Sequence, residues 1–217
     1  MRRMFRAVRT PMVAAALLTA LAVPSAIAVA ATGSTTSMNY RANLSAVPLN
    51  PAASGTASIA REGNVITVDV RVTGLTPLLH HAMHIHGDLQ ARNECPPASA
   101  DVSTGDVLDP TNFIAGDPDG LVSVSEGGPF YGPVQVSFTT DPNPTTSAVA
   151  FSVALFPAAN KRGVLDYHRT FQIPGKIAAK LGQLHVVVHG EDLNGDGAYS
   201  SFMEASLPVA CGTIDQA

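Results

Sequence analysis

Residues 55–72, "GTASIAREGNVITVDVRV", carry the pattern that most restricts this chain. Ile66, Val68, Val70 and Val72 alternate with Thr67, Asp69 and Arg71. Successive side chains of a strand point to opposite faces, so this order makes one apolar and one polar face, a period that no helix can use. Gly63-Asn64 sits between two such runs and predicts a hairpin turn. The same texture returns in "HAMHIHG", "PVQVSFTT", "SAVAFSVALF", "DYHRTFQI" and "GQLHVVVHG", each read as a further strand. Only "PGKIAAKLG" reads as helix, of one or two turns. Many short alternating strands predict an all-β fold, an antiparallel Greek-key sandwich or flattened barrel.

The chain divides unevenly. Arg2, Arg3, Arg6 and Arg9 form a basic start, Met12 to Val23 an apolar run, and "PSAIAVAA" offers small-residue cleavage sites after Ala28 or Ala30. That order predicts a secretory signal peptide over residues 1–31, because the apolar run is too short to span a bilayer. "RRMF" fits the general or the twin-arginine export route. Residues 32–40 read as a flexible lead-in and 41–217 as a single β-sandwich domain. The expected location is secreted, periplasmic or in the cell envelope. No later segment approaches the apolar length of a membrane span. Four of the 13 basic residues lie in the leader and all 17 acidic ones follow it. An acidic domain without basic clusters argues against nucleic acid or an anionic membrane as partner. The partners expected are instead a metal ion or a small inorganic substrate.

Two cysteines, Cys95 and Cys211, are present. In an oxidising compartment the default is one disulfide between them. Closing so long a ring is worth about 4–5 kcal/mol on a chain-entropy account. The alternative, two soft metal ligands, suits an exported protein less well. The segment from Cys95 to about Tyr131 is rich in Pro, Gly, Asp and Ser and resists a strand reading; loops of this length are usually functional. Residues 93–160 contain no Lys or Arg at all.

"HHAMHIHGD", residues 80–88, places four of the seven histidines within seven positions. In a strand, residues two apart share a face about 6.6 Å apart along the chain. His84 and His86 therefore share one face, with Met83 and Ile85 directed to the core on the other. In "LHVVVHG" the same rule places His185, Val187 and His189 together. Two such strands side by side bring three imidazoles within reach of one ion, and imidazole sets suit copper or zinc. The competing reading is a pair of surface histidines on a sheet.

These residues carry a resemblance. "GLTPLLHHAMHIHGD", then Cys95 nine residues after His86, then "VVVHGEDLNGDG", and "ACG" at 210–212 resemble copper/zinc superoxide dismutase over most of the chain, from about Tyr40 to Ile214. The resemblance implies copper ligands at His84, His86 and His189, a Cys95–Cys211 disulfide, and a non-ligand histidine, His81, packed behind the site. His80 then has no counterpart and reads as an exposed or capping residue. The zinc ligands and the bridging histidine of that family have no match, since only His168 and His185 lie between Cys95 and His189. Zinc is therefore not expected. The family's active-site arginine position is Pro208, and a site without a guiding cation attracts an anion such as superoxide poorly. "HIHGD", "FYGPV", "VVVHGEDLNGDGAY" and "ACG" are also similar to exported bacterial chordin-repeat (CHRD) domain proteins. That likeness implies the same kind of β-sandwich with a binding or structural role. A third reading is copper sequestration without turnover.

"DLNGDG" at 192–197 fits the first half of a calcium loop, with Asp192, Asn194 and Asp196 as oxygen donors and Gly197 at the sharp turn. Its twelfth position is Met203, with Glu204 one residue late. "GDPDGLVSVSE" has Asp117, Asp119, Gly120 and Glu126 in place, but Ala115 where the first ligand belongs. Asp/Asn/Gly turn chemistry between strands explains both equally well.

Overall fold

The computed structural model describes residues 37–88, 93–104, 114–115 and 119–217. The expected signal peptide and Asp117 lie outside them. The strands are β1 (Ser37–Ala46), β2 (Ser54–Glu62), β3 (Val65–Thr73), β4 (Met83–His86), β5 (Ser103–Thr104), β6 (Ile114–Ala115), β7 (Val134–Ser137), β8 (Leu165–Gln172), β9 (His185–His189), β10 (Pro208–Thr213) and β11 (Asp215–Gln216). Short helices α1 (Val124–Tyr131), α2 (Gly175–Ala178) and α3 (Phe202–Ser206) lie between them.

Eight strands form one antiparallel sheet in the order β7-β4-β9-β10-β1-β2-β3-β8, with β11 paired to β1 and a separate two-stranded ladder of β5 and β6. The expected β2–β3 hairpin pairs residue for residue from Ser54↔Thr73 to Glu62↔Val65. Gly63 turns it at φ +60°, a backbone region that glycine enters without steric cost. Its inward positions, Ile66, Val68, Val70 and Val72, are buried, as the alternation requires.

The sheet curls so that one face encloses the core. Tyr40, Ile59, Met83, Ile85, Phe138, Leu165, Val186 and Val188 belong to that buried cluster. The curl brings the two edges together without a backbone ladder between β7 and β8 among the described residues. Side chains close the gap. Phe138 stacks on Tyr167 at 5.7 Å between centroids, and Tyr167 Oη donates to the Thr139 carbonyl at 3.1 Å. Arg169 donates to Thr139 O at 2.8 Å and to Asn143 O at 2.9 Å. Its guanidinium therefore belongs to this seam, where Asp141 also meets it, and does not reach the histidines.

Three expectations need correction. β1 begins at Ser37, so the last four residues of the expected lead-in belong to the sheet, where they pair with Ile59 to Glu62. "SAVAFSVALF" is not a strand but two short 3-10 turns, Ser147–Val149 and Val153–Leu155. At the end of β7 the Ser137 N–H donates to Thr145 O, and the small-residue segment that follows satisfies its amides locally, as in Ala150 N–H to Ser147 O. The acidic loop, in turn, contains helix. Ser123 and Glu126 form a reciprocal capping box that starts α1.

Cys95 and Cys211 form the expected disulfide, with Cα atoms 5.7 Å apart across a sequence separation of 116. Cys211 lies on β10 opposite Val187. The bond thereby ties the acidic loop to the outer face of the sheet, where Val47, Ala100, Val122, Phe130 and Tyr131 form a second apolar cluster over Val187.

Candidate metal centre

β4 and β9 are neighbours, with Met83↔Val188, His84↔Val187, Ile85↔Val186 and His86↔His185 as partners. The register follows from burial: a slip of one residue would send Met83 and Ile85 out of the core and the histidines into it. His189 follows at the end of β9, where its N–H bonds to Ala82 O at 2.8 Å. Nitrogen atoms of His84, His86 and His189 lie within 4.8 Å of one another. The expected trio is brought together.

One part of the expectation changes. The histidines leave the core face, yet they are not at the surface: His84, His86 and His189 are 3%, 3% and 4% exposed. α1, α3 and the 3-10 turns cover them as a second layer. Phe156 meets the His84 ring edge-on at 5.2 Å, and Tyr131 meets His86 at 4.7 Å.

Hydrogen bonds decide the tautomers. Each carbonyl is only an acceptor, so the imidazole nitrogen facing it must carry the proton. His86 Nδ1 donates to Gly132 O at 2.8 Å, and His189 Nδ1 donates to Ser206 O at 2.7 Å. Burial holds His86 neutral by lowering its pKa to about 3, with His189 adding to the effect. Burial likewise takes His189 to about 4. His84 is pushed well below the usual imidazole range by burial, then by its two neighbours. In these neutral rings Nε2 of His86 and Nε2 of His189 both bear lone pairs, and they face each other at 3.4 Å with no proton to share. His84 comes near the Ala150 backbone, but among the described residues neither of its ring nitrogens completes a hydrogen bond. Opposed lone pairs and an unsatisfied buried imidazole are costly arrangements that a cation between them relieves.

Other histidines sit outside the trio. His81 is fully buried behind it, with Nε2 3.0 Å from Thr76 O and Nδ1 3.2 Å from His189 O. Tyr199 Oη lies 3.3 Å from the same Nδ1. His80 is exposed and donates from Nδ1 to Phe156 O at 2.6 Å. His185 is 1% exposed, and among the described residues neither of its ring nitrogens has a hydrogen-bond partner. His168 is exposed on β8 and pairs with Asp69.

Each strand-borne ligand at a strand end is followed by a glycine, Gly87 at φ +138° and Gly190 at φ +107°. A Cβ on Gly190 would lie 2.3 Å from Tyr199 Oη and 3.2 Å from His81 Nδ1. Gly190→Ala is expected to cost about 1–3 kcal/mol, from backbone strain and displacement of Tyr199. Urea unfolding of the variant beside Gly128→Ala, where a Cβ meets nothing within 4 Å, checks this.

The 192–197 loop turns on its own oxygens. Asp192 accepts from Gly195, Asp196 and Gly197 N–H, Asn194 from Asp196 N–H, and Asp196 from Ala198 N–H. Glu204, read from sequence as a misplaced calcium ligand, instead caps α3 with Ser201. It also accepts from Ser200 and Leu193 N–H at 2.6 and 3.1 Å. Glu126 caps α1 in the same way and accepts from Val102 N–H. Glu126, read at a twelfth position, and Glu204, read one residue late, both serve helix starts. The two S-x-x-E boxes were the signal for α1 and α3, and hence for Gly132 and Ser206, the carbonyl groups that orient the ligands.

No protein-family model matches this chain, and no curated protein matches it.

Proposed function

We propose that this protein binds one copper ion through Nε2 of His86, Nε2 of His189 and a ring nitrogen of His84, as an exported protein from which residues 1–31 are removed. The observation that carries the reading is the pair of Nε2 lone pairs held 3.4 Å apart by Nδ1–H bonds to two backbone carbonyls. Such second-layer bonds fix which nitrogen is free to ligate. A neutral three-nitrogen set favours copper over the other divalent ions of its row, and no carboxylate among the described residues joins it to favour a harder cation. The disulfide supports an oxidising compartment.

Bound copper supplies one-electron redox chemistry, and the resemblance to superoxide dismutase directs attention to superoxide. The chain's own contribution to that reaction is thin. Pro208 stands opposite His189, and among the described residues no charged side chain lines the pocket above the trio. Copper holding without fast dismutation is therefore the reading preferred, within a superoxide dismutase-like or chordin-repeat-like fold.

Plasma mass spectrometry of the mature protein, dialysed against trace copper, zinc and calcium, tests this. One copper per chain is expected, lost in a His84→Ala/His189→Ala variant whose circular dichroism is unchanged. Copper absent from the wild type, or retained by the variant, would sink the proposal. A superoxide assay on the loaded protein then separates holding from turnover, and calcium in the wild type would point to Asp192, Asn194 and Asp196.

A further inference from the structure

The histidine trio forms the floor of a cavity of about 70 Å³. Its walls are apolar: Val124, Val134, Ala150, Phe151, Val153 and Phe202. Phe151 and Phe202 form the rim, packed edge to face at 5.1 Å, while remaining 66% and 59% exposed. Large aromatic side chains left this open beside a cavity are a recurrent mark of a binding mouth. No charged residue among those described lines the pocket. Most of the wall comes from residues 93–160, the stretch without a single Lys or Arg.

An anion entering here would shed its water against carbon and meet no charged side chain among the described lining residues, an unfavourable transfer. A small uncharged molecule suffers no such penalty. It gains from the apolar contact and can direct one polar atom at the floor. Apolar cavities of ~150 Å³ accommodate benzene, so this smaller, open one suits about three to five heavy atoms.

The geometry points to a binding site for a small neutral ligand above His84, His86 and His189, entered between Phe151 and Phe202, with anions discriminated against by the apolar wall. Its action at a metal rests on the copper reading; its existence as a pocket does not.

Imidazole and azide are the probes, at pH 8.5 where free imidazole is neutral. On copper-loaded protein, imidazole should add a nitrogen to the electron paramagnetic resonance pattern. It should bind about tenfold or more tightly than azide. Phe202→Lys, a change at an exposed position, should raise azide affinity about tenfold by placing a cation on the rim. Azide binding the wild type as well as imidazole, or unchanged in Phe202→Lys, would overturn the inference while leaving copper binding intact. If the wild type takes up no copper, the copper reading fails alone. Imidazole-dependent shifts of the Ala82, Ala150 and Val153 methyl resonances in metal-free protein then still support the pocket. Their absence would overturn it.

Discussion

Metal-free protein should lose most of its stability between pH 7.5 and pH 5. Burial holds His86 at a pKa of about 3 and His189 and His185 at about 4, against an ordinary value of 6.5. The folded state therefore binds fewer protons than the unfolded chain throughout this window. Depressed pKa values give stability that is complete above 6.5 and drains away as pH falls towards the folded values. Each group withdraws about 1.4 kcal/mol per pH unit. At pH 5 these three histidines remove on the order of 6 kcal/mol, comparable with the whole stability of an ordinary domain. Urea unfolding in the presence of a chelator at the two pH values measures it directly. The midpoint should fall steeply in acid, and a midpoint unchanged across the window would show that these rings are not held buried and neutral. Copper added at pH 7.5 should raise the midpoint, because an ion that binds only the folded arrangement stabilises it by mass action.

The second large effect is expected from Cys95→Ala/Cys211→Ala. The bond closes a separation of 116 residues, and releasing a ring of that size costs about 4–5 kcal/mol through the entropy of the unfolded chain. It also frees the acidic loop from β10, so the cluster of Val122, Phe130 and Tyr131 over Val187 loses its covalent anchor. Tyr131 leans on His86 and the adjoining Gly132 carbonyl sets its tautomer. Copper affinity should therefore fall together with stability. A loss below about 1 kcal/mol would mean that apolar packing alone holds the loop in place.

Where sequence was informative, the information was local. The β2–β3 hairpin was legible because Ile66, Val68, Val70 and Val72 repeat with the period of the pleat and Gly63-Asn64 supplies the turn. β9 and the pairing of His84 with His86 were legible for the same reason. β1 was missed because its inward residues are Tyr40, Ala42 and Leu44, and alanine carries little alternation signal; β10 was missed because Pro208 and small residues interrupt it. "SAVAFSVALF" alternates convincingly, yet forms turns whose amides bond locally, as Ala150 N–H does to Ser147 O, because alternation makes a strand only where the fold supplies a pairing edge.

By itself the sequence determined the face each histidine takes: once Met83, Ile85, Val186 and Val188 must enter the core, His84, His86 and His189 must leave it. It also set the chemistry available, three imidazoles and two cysteines in an acidic chain. Only the tertiary structure decided that the outward face is roofed, that the Gly132 and Ser206 carbonyls accept from Nδ1–H and leave Nε2 free, and that the way in is lined with carbon. Those outcomes depend on backbone carbonyls and aromatic side chains brought from far along the chain. Their hydrogen bonds and contacts have no period to read, because they exist only after the loops have folded over the sheet.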